Sequence, residues 1–481
     1  MPSHKVLVKN TVWAFVAQIA YILVGLTGNI ILARMLSPNE FGTVGIAMFF
    51  IGISNVLVDS GMGGALVRKE NPTALDYSTI FLFNLAVSIV LFLLCLLISG
   101  YIAVLYKTPI LRYVLIALSS TIIINAITLV QGVKLVKNMS FKKIGLYRFV
   151  SLLMASIVAL IMAFLHYGVW SVVALQILSA LFLSIIYRVK EGGIDKLVFS
   201  KTSFKEMLSF GVFTTLSSLM ITIYDNIYQM VIGRFFNINS AGFYYQSKRL
   251  QDVMDAPTKN VLYNVVYSYM SGLQSDVANF KLTHLNIVKL ITIGISTITC
   301  LVILYADQIV LILFGQKWLN SAFYLQLLSI ASFFSLMEIV YANLFRIFNK
   351  TQRLLSLEIT KKIIQSITIF IGIYYHNIGY LLYGLIFTSI IGYIVAVILS
   401  KKVFDLKDKK EHIYFLMIIS FAAFATLATY FTFSIFNVDN YLKIPFVILF
   451  LIINFFLLYL FKVENVFQVF KNFKTLNKQT H

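Results

Sequence analysis

Long apolar runs, repeated along nearly the whole chain, constrain this sequence more than any other feature. About 14 such runs are present. They lie at about residues 11–33, 41–58, 78–105, 111–132, 146–166, 169–187, 207–233, 241–270, 285–314, 322–346, 356–375, 378–400, 413–436 and 442–461. A bilayer core of about 30 Å is crossed by roughly 20 helical residues, and helices satisfy their own backbone hydrogen bonds there. The sequence therefore predicts an all-α polytopic membrane protein with about 14 transmembrane helices.

The composition agrees with a membrane protein and argues against a nucleic-acid-binding module. Hydrophobic residues make up 59% of the chain and charged residues 12%, against about 25% charged in soluble domains. The net charge is +20, but basic and aromatic residues are not interleaved in a soluble segment. No nucleic-acid partner is expected. The first run follows a short basic stretch without a small-residue cleavage site, so we expect a retained first helix rather than a removed signal peptide.

The distribution of Lys and Arg predicts the orientation of the helices. An even number of spans places both termini on one side of the membrane. If that side is the cytoplasm, about 30 basic residues fall inside and about 6 outside. The opposite orientation would strongly violate the positive-inside rule, so both termini are predicted to be cytoplasmic.

The junction between the first two runs recurs later in the chain. Residues 31–47 read ILARMLSPNEFGTVGIA, and residues 231–247 read VIGRFFNINSAGFYYQS. Three identities share one offset of 200 residues without a gap: Arg34 and Arg234, Asn39 and Asn239, Gly42 and Gly242. Because each set lies where one apolar run ends and the next begins, we infer an internal duplication. Paired halves of this kind are typical of secondary transporters, whose substrate site lies between the repeats.

Two segments carry a family resemblance. LARMLSPNEFG at residues 32–42 and DSGMGGALVRK at residues 59–69 resemble the first two helices of bacterial polysaccharide exporters. These are O-antigen flippases of the Wzx type and their relatives in the multidrug/oligosaccharidyl-lipid/polysaccharide superfamily. With the repeat, the resemblance implies two six-helix bundles in pseudo-twofold relation plus two extra C-terminal helices. The expected segments are bundles 1–187 and 207–400, a cytoplasmic linker 188–206, the two helices within 401–461 and a cytoplasmic tail 462–481.

The resemblance also implies a function. It predicts translocation of an undecaprenyl-diphosphate-linked oligosaccharide across the bacterial inner membrane by alternating access. The product would serve the synthesis of a surface polysaccharide such as O-antigen, capsule or exopolysaccharide. The expected partners are the lipid-linked oligosaccharide and membrane lipids, with a polysaccharide polymerase and a chain-length regulator as further candidates.

Charged side chains inside the eighth run are the first candidates for substrate binding, because charge is costly in hydrocarbon. Four of them share one helical stripe at i,i+4 spacing: Lys248, Asp252, Asp255 and Lys259. Arg249 lies about 100° from that stripe and has no acid one turn away in the sequence. Pro257 predicts a kink or a break. Either this helix faces a polar cavity, or its charges form a ladder of structural ion pairs.

Three further charged residues are candidates for the lining of the substrate cavity, and each also has an alternative role. Asp225 lies in the middle of the seventh run and is a candidate proton or cation site, a partner for a cavity arginine, or a structural ion-pair member. Arg34 and Arg234 lie at the predicted outer ends of the first and seventh helices. They would either bind a diphosphate bidentately or extend to lipid headgroups.

A second set of candidates marks the predicted cytoplasmic entrance. This entrance group consists of Asp59, Arg68, Lys69 and Arg148. Its basic members would attract a lipid diphosphate, although a cytoplasmic loop that follows the positive-inside rule contains the same residues. Glu338 and His166 are single ionisable residues for which a structural role is expected.

The sequence contains no motif for catalysis or for a cofactor. Metal-ligand spacings, a phosphate-binding loop, a nucleophile elbow and a dinucleotide fingerprint are missing from it. No cofactor, metal or ATP site is therefore expected, and the chain is predicted not to be an enzyme. The alternatives are a cation-coupled drug antiporter of the same superfamily and a membrane-embedded polysaccharide polymerase or ligase. The first helix lacks the acid such antiporters often use, and no predicted outer loop is long enough for the polymerase.

The predicted orientation is testable by cysteine labelling. In a background with Cys95 and Cys300 replaced by serine, Asn138→Cys and Asp405→Cys should resist an impermeant thiol reagent in intact cells. Asp439→Cys should be labelled, because its loop is predicted to face outwards. Permeabilised cells provide the control, since all three positions should then react. Labelling of Asn138→Cys from outside would contradict the orientation.

Overall fold

Every apolar run predicted to span the membrane contains a helix. The computed structural model describes residues 4–193, 197–404, 409–435, 443 and 445–461, and no strand occurs in these ranges. The all-α polytopic fold is thus confirmed for the described chain. Ten helices are long and apolar enough to cross a membrane, or eleven when the bent pair Lys201–Leu208 and Gly211–Phe235 counts as one span. The runs at 241–270 and 356–375 do not meet this criterion because charged residues interrupt their helices. The last described helix, Phe446–Leu460, has only 15 residues.

The chain divides into two compact units, residues 1–245 and 246–481. The first unit contains α1 (His4–Met35), α2 (Pro38–Asp59), α3 (Met62–Arg68), α4 (Ala74–Leu105), α5 (Ile110–Lys137), α6 (Phe141–Phe164), α7 (Val169–Glu191) and α8 (Lys201–Phe235). The boundary between the units falls within the next helix, α9 (Ile238–Asn260). The predicted bounds of the two six-helix bundles stay a prediction.

The second unit continues from α9 through a π-helical segment, Val261–Val266. Its remaining helices are α10 (Tyr267–Gly272), α11 (Val277–Phe314), α12 (Ser321–Ile347), α13 (Thr351–Tyr374), α14 (Ile378–Phe404), α15 (Lys409–Ile435) and α16 (Phe446–Leu460). A short 3-10 segment, Gln316–Trp318, precedes α12. The predicted tail 462–481 and the labelling positions Asp405 and Asp439 lie outside the described residues.

Local sequence determines where α2 begins and ends. Pro38 occupies its first turn, where a missing backbone N–H costs nothing. The Ser37 backbone N–H donates a 2.7 Å hydrogen bond to the Glu40 carboxylate, which satisfies one of the donors before the helix. At the other end Ser60 and Gly61 have φ of 48° and 63°, a left-handed turn that stops α2 and lets α3 begin.

The helix ends at this junction follow the 200-residue offset. Helix α1 ends at Met35 and α8 at Phe235, whereas α2 begins at Pro38 and α9 at Ile238. Within the first unit the two junctions also meet. A Cβ atom added to Gly42 would lie 2.1 Å from the Ile238 carbonyl oxygen, and one added to Gly242 would lie 1.9 Å from the Pro38 carbonyl oxygen. Each glycine thus contacts the start of the other helix, as expected around a local twofold axis.

A second backbone contact joins the far end of α2 to α8. A Cβ atom on Gly61 would lie 2.6 Å from the Gly211 carbonyl oxygen, and one on Gly211 would lie 2.3 Å from the Ser60 carbonyl oxygen. Only glycine allows helices to approach so closely. The start of α2 is therefore in backbone contact with the start of α9, and the turn that follows α2 is in backbone contact with α8.

The segment before α8 is held against α4 by hydrogen bonds. The Val198 backbone N–H donates to Ser78 Oγ at 2.7 Å, and the Ser200 N–H donates to Thr79 Oγ1 at 3.0 Å. Ser200 then caps α8 by accepting from the Ser203 N–H. This part of the predicted linker is consequently fixed to the first unit.

The second unit has a mixed core of aliphatic and aromatic side chains. Its buried members include Leu262, Met337, Tyr341, Leu357 and Ala396. A polar cluster is embedded among them, in which the Tyr341 hydroxyl donates to the Glu411 carboxylate. His284 Nε2 lies 4.0 Å from the same carboxylate, and both side chains are almost fully buried. This cluster ties α15 to α11 and α12.

The close contact at Gly242 predicts that adding one methyl group there destabilises the protein, whereas the same change in an ordinary helix stabilises it. In an ordinary helix Gly→Ala is stabilising by up to about 1 kcal/mol. At Gly242 the new Cβ would collide with the Pro38 carbonyl, and overpacking costs about 1–3 kcal/mol. We therefore expect Gly242→Ala to lower the thermal unfolding midpoint of the purified protein.

Gly100→Ala is the matched control, because no described atom lies within 4 Å of its added Cβ. Its unfolding midpoint should equal that of the unmodified protein or exceed it. Equal midpoints for Gly242→Ala and Gly100→Ala would contradict the backbone contact.

Candidate functional site

The charged stripe on α9 forms the predicted ion pairs. The Lys248 ammonium pairs with the Asp252 carboxylate, and Lys259 Nζ lies 3.4 Å from Asp255 Oδ2. Both i,i+4 pairs predicted from the sequence are thus confirmed. Neither carboxylate remains an isolated charge.

The two pairs differ in their surroundings. Asp255 is 7% exposed and accepts hydrogen bonds at its Oδ1 from Ser332 Oγ at 2.6 Å and from Gln251 Nε2 at 2.8 Å. Ser329 Oγ donates to Gln251 Oε1 at 2.6 Å. These bonds fasten α9 to α12, so Asp255 belongs to a structural ladder.

The Lys248–Asp252 pair is more accessible and remains a binding candidate. The side chains are 34% and 48% exposed, respectively. An exposed pair is held weakly, because water competes with each partner. Of the two pairs on the stripe, only Lys248–Asp252 is still interpreted as part of a ligand-binding surface.

Arg249 and Asp225 belong to different units. Arg249 is half-buried and lies in the second unit, whereas Asp225 is exposed on α8 in the first. Their pairing stays a prediction. Pro257 does not end α9, which continues to Asn260 before the geometry becomes π-helical. Loss of the proline N–H is consistent with disturbed hydrogen bonding in that region.

Arg34 and Arg234 occupy equivalent positions in the repeat. Each lies in the last turn of its helix, α1 or α8, and each is exposed. The Arg234 guanidinium carbon lies 5.7 Å from the centre of the Phe235 ring. Exposed guanidinium groups suit both a diphosphate and lipid headgroups, so their role stays a prediction.

Lys69 of the entrance group is held by two carboxylates. Its Nζ lies 3.2 Å from Asp76 on α4 and 2.9 Å from Glu206 on α8. The hydrogen bond to Glu206, with that to Asp76, raises the pKa of Lys69 above its usual value. Lys69 is therefore a charged link between the α3–α4 turn and α8.

Asp59 has a local structural task. Its carboxylate accepts a hydrogen bond from the Gly63 backbone N–H in the first turn of α3. Such a cap satisfies a donor that the helix leaves open. Arg68 ends α3 and is exposed.

Arg148 lies apart from the rest of the entrance group, in a cavity inside the first unit. The cavity has a volume of about 220 Å³ and is bounded by α1, α2, α5, α6 and α7. Its polar lining consists of Tyr21, Asn55, Thr121, Asn125, Arg148, Ser151, Gln176 and Ser179. Asp59, Arg68 and Lys69 do not line it, so the four predicted residues do not form one cluster.

Hydrogen bonds organise this cavity. Asn125 Nδ2 donates to Asn55 Oδ1 at 3.1 Å, which joins α5 to α2. The Arg148 guanidinium donates to the Tyr187 hydroxyl on α7. Our sequence interpretation missed Asn55, Asn125 and Gln176. The usable signal was their position within apolar runs, where an amide requires a polar partner.

A groove of about 490 Å³ adjoins the cavity at Tyr187. Its walls come from α4, α5, α7 and the segment before α8, and they include Phe81, Ile127, Ile185 and Leu197. Among the described residues that line it, Arg188 alone is basic. The buried Gln131 also contributes an Oε1 atom without a hydrogen-bond partner among the described residues.

Glu338 is paired, although the sequence showed it as a single ionisable residue. Its Oε1 accepts from Lys361 Nζ on α13 at 2.8 Å, and the side chain is 5% exposed. Its Oε2 has no partner in the described part of the chain. The expected structural role agrees with this link between α12 and α13. In the same described residues, no group of three or more His, Cys, Asp or Glu side chains could hold a metal ion.

Sequence comparisons give one family. The model of a family described as polysaccharide biosynthesis protein matches residues 31–323. Succinoglycan biosynthesis transport protein ExoT of Rhizobium meliloti is 24% identical over 319 residues, 66% of this chain and 64% of that protein. Lipopolysaccharide biosynthesis protein WzxC of Escherichia coli is 22% identical over 327 residues, 66% and 65% of the two chains. The match thus spans slightly less than two thirds of both relatives.

Solved structures share the fold. The lipid II flippase MurJ in an inward closed conformation has a TM-score of 0.74 and 15% identity, covering 95% of this chain and 100% of that one. An inward-facing multidrug resistance MATE family transporter of the MOP superfamily has a TM-score of 0.63 and 15% identity, covering 81% and 96%. At such identities the likeness concerns the fold alone. This chain has a polytopic transporter fold and is a multi-pass membrane protein.

The two ion pairs of α9 predict different effects on stability. Asp255→Ala would remove the acceptor of Ser332 and Gln251 inside the protein, and a buried polar group without a partner costs about 1–3 kcal/mol. Asp252→Ala breaks the same kind of i,i+4 pair on the exposed side, where the cost is at most about 1 kcal/mol. Thermal unfolding of the purified variants should show a clear decrease for Asp255→Ala alone. A similar decrease for both would contradict the structural role of Asp255.

Proposed function

Because the chain belongs to the polysaccharide biosynthesis protein family, we propose that it is a flippase for a lipid-linked oligosaccharide. The substrate would be an undecaprenyl-diphosphate-linked unit destined for a surface polysaccharide. The observation that carries this proposal is the family match over residues 31–323, which includes α2, α8 and the charged helix α9. The Wzx-type resemblance of residues 32–42 and 59–69 predicted the same family.

The physical task agrees with the residues. A diphosphate and a polyhydroxylated sugar cannot cross hydrocarbon, so the protein must supply polar and cationic groups along the path while the lipid chain stays in the bilayer. We assign charge recognition to Arg249, with Lys248 and Asp252 beside it. Asp225, Arg34 and Arg234 are proposed as further contacts. Asp59, Arg68 and Lys69 are proposed as one part of the entrance, and Arg148, which lies apart from them, as another.

The proposal includes location and partners. The protein would lie in the bacterial inner membrane with both termini in the cytoplasm, as the basic loops support. It would move substrate by alternating access of the bundles 1–187 and 207–400, without a chemical reaction on the substrate. A polysaccharide polymerase and a chain-length regulator are proposed as partners of the same export process.

Arg249 provides the direct test. A guanidinium forms two parallel hydrogen bonds with a phosphate, whereas an ammonium acts as a point charge. In a strain from which this gene has been deleted, Arg249→Ala should therefore abolish surface polysaccharide. Arg249→Lys should restore only part of it. Surface polysaccharide is measured in cells with equal amounts of each variant in the membrane.

Arg112→Ala is the matched control, because Arg112 is an exposed arginine near the start of α5 and has no proposed role. It should support export at the level of the unmodified protein. Normal export with Arg249→Ala would contradict the role of Arg249. Normal surface polysaccharide in the deletion strain itself would contradict the proposed function.

A further inference from the structure

The polar cavity around Arg148 has the chemistry of a binding site. It lies wholly in the first unit and is formed by α1, α2, α5, α6 and α7. Amides and hydroxyls are costly in membrane helices unless a polar partner is present. Eight such polar or charged side chains converge on this one space. Thr121, Ser151 and Ser179 donate their hydroxyl protons to carbonyls of their own helices, so Arg148 and the amides supply the hydrogen-bond donors for an occupant.

The charge of the lining selects an anion. Arg148 contributes a permanent positive charge, and the described lining contains no carboxylate. In the described part of the chain no carboxylate forms an ion pair with it. A hard cation would require carboxylate or carbonyl ligands and would be repelled by the guanidinium. A phosphate, in contrast, would match the fork of an arginine.

The neutral part of the lining selects hydroxyl groups. Asn55, Asn125 and Gln176 each offer both donors and acceptors. The hydroxyls of Ser151 and Ser179 donate to carbonyls of their own helices and offer acceptor lone pairs. Sugar hydroxyls also donate and accept, so such a lining can satisfy them on several sides. The asparagine pair is already positioned by its 3.1 Å hydrogen bond.

The size of the cavity limits the occupant to a small group. Its volume of about 220 Å³ is below the roughly 300–1,000 Å³ of pockets for drug-sized ligands. A whole oligosaccharide does not fit inside it, whereas one sugar ring with its attached phosphate does. The cavity therefore suits the end of a larger substrate.

We propose that this cavity is a subsite for a glycosyl phosphate, the sugar–phosphate junction of the lipid-linked substrate. Arg148 binds the phosphate, and Asn55, Asn125 and Gln176 bind hydroxyls of the adjoining sugar. This assignment rests on the proposed flippase function and gives its entrance a specific ligand chemistry. A phosphatidylglycerol headgroup shares that chemistry, since it also joins a phosphate to hydroxyls.

Binding measurements on the purified full-length protein separate these sources. Three probes are used: farnesyl-diphosphate-linked N-acetylglucosamine, farnesyl diphosphate and phosphatidylglycerol. Loss of a charge-assisted contact should weaken binding of both diphosphates about 10- to 100-fold in Arg148→Ala. Arg148→Lys should recover part of that loss. Gln176→Ala should weaken only the sugar-bearing probe, by about 2- to 10-fold.

Arg188→Ala is the matched control, because Arg188 is the next residue after Tyr187 and lines the adjoining groove instead. It should leave the affinity for all three probes unchanged. Thermal unfolding of each variant distinguishes lost contacts from lost folding, and Arg148→Lys and Gln176→Ala provide the test if Arg148→Ala does not fold.

Three outcomes would overturn the assignment. These are equal affinity of Arg148→Ala and the unmodified protein for the diphosphates, equal effects of Gln176→Ala on both diphosphates, and tighter binding of phosphatidylglycerol than of the glycosyl probe. Failure of the proposed function is seen separately, as normal surface polysaccharide after deletion of the gene.

Discussion

The absence of water from the hydrocarbon core is the constraint on which the rest of this structure depends. Every polar side chain placed there must find its partner in the protein or in a ligand. The second unit answers this demand with buried pairs, such as Glu338 Oε1 with Lys361 and Asp255 with Ser332. Each of these contacts joins two helices. Such polar pairs fix how the two helices are aligned, which apolar faces alone do not.

The first unit meets the same demand differently around Arg148. Some of the polar side chains there pair with one another, as Asn125 does with Asn55. Together these side chains line a cavity instead of filling the space between the helices. A packed polar pair stabilises one arrangement of helices. A polar cavity keeps hydrogen-bonding capacity for an incoming group, which is what a carrier of a hydrophilic headgroup requires.

Local patterns predicted the elements well. Helix positions followed from apolar runs, and both i,i+4 pairs of α9 followed from spacing alone, because these interactions lie within one helix. The 200-residue register likewise followed from identities between two short segments of the sequence. Contacts between helices were not predictable in this way. Glu338 meets Lys361, and Arg148 shares a cavity with Asn55, because of how each helix is rotated about its own axis. That rotation is decided by packing along the whole helix.

The reciprocal contact of Gly42 and Gly242 has a consequence for the history of the chain. Gly42 touches the helix start at Ile238, and Gly242 touches the helix start at Pro38. If both halves were one shorter protein, the same contact would join Gly42 of each copy to Pro38 of the other in a symmetric homodimer. A single ancestral glycine would then have served both sides of that interface. After fusion, positions 42 and 242 are encoded separately and can change independently. Single substitutions can then make the two halves differ, and selection can act on each difference.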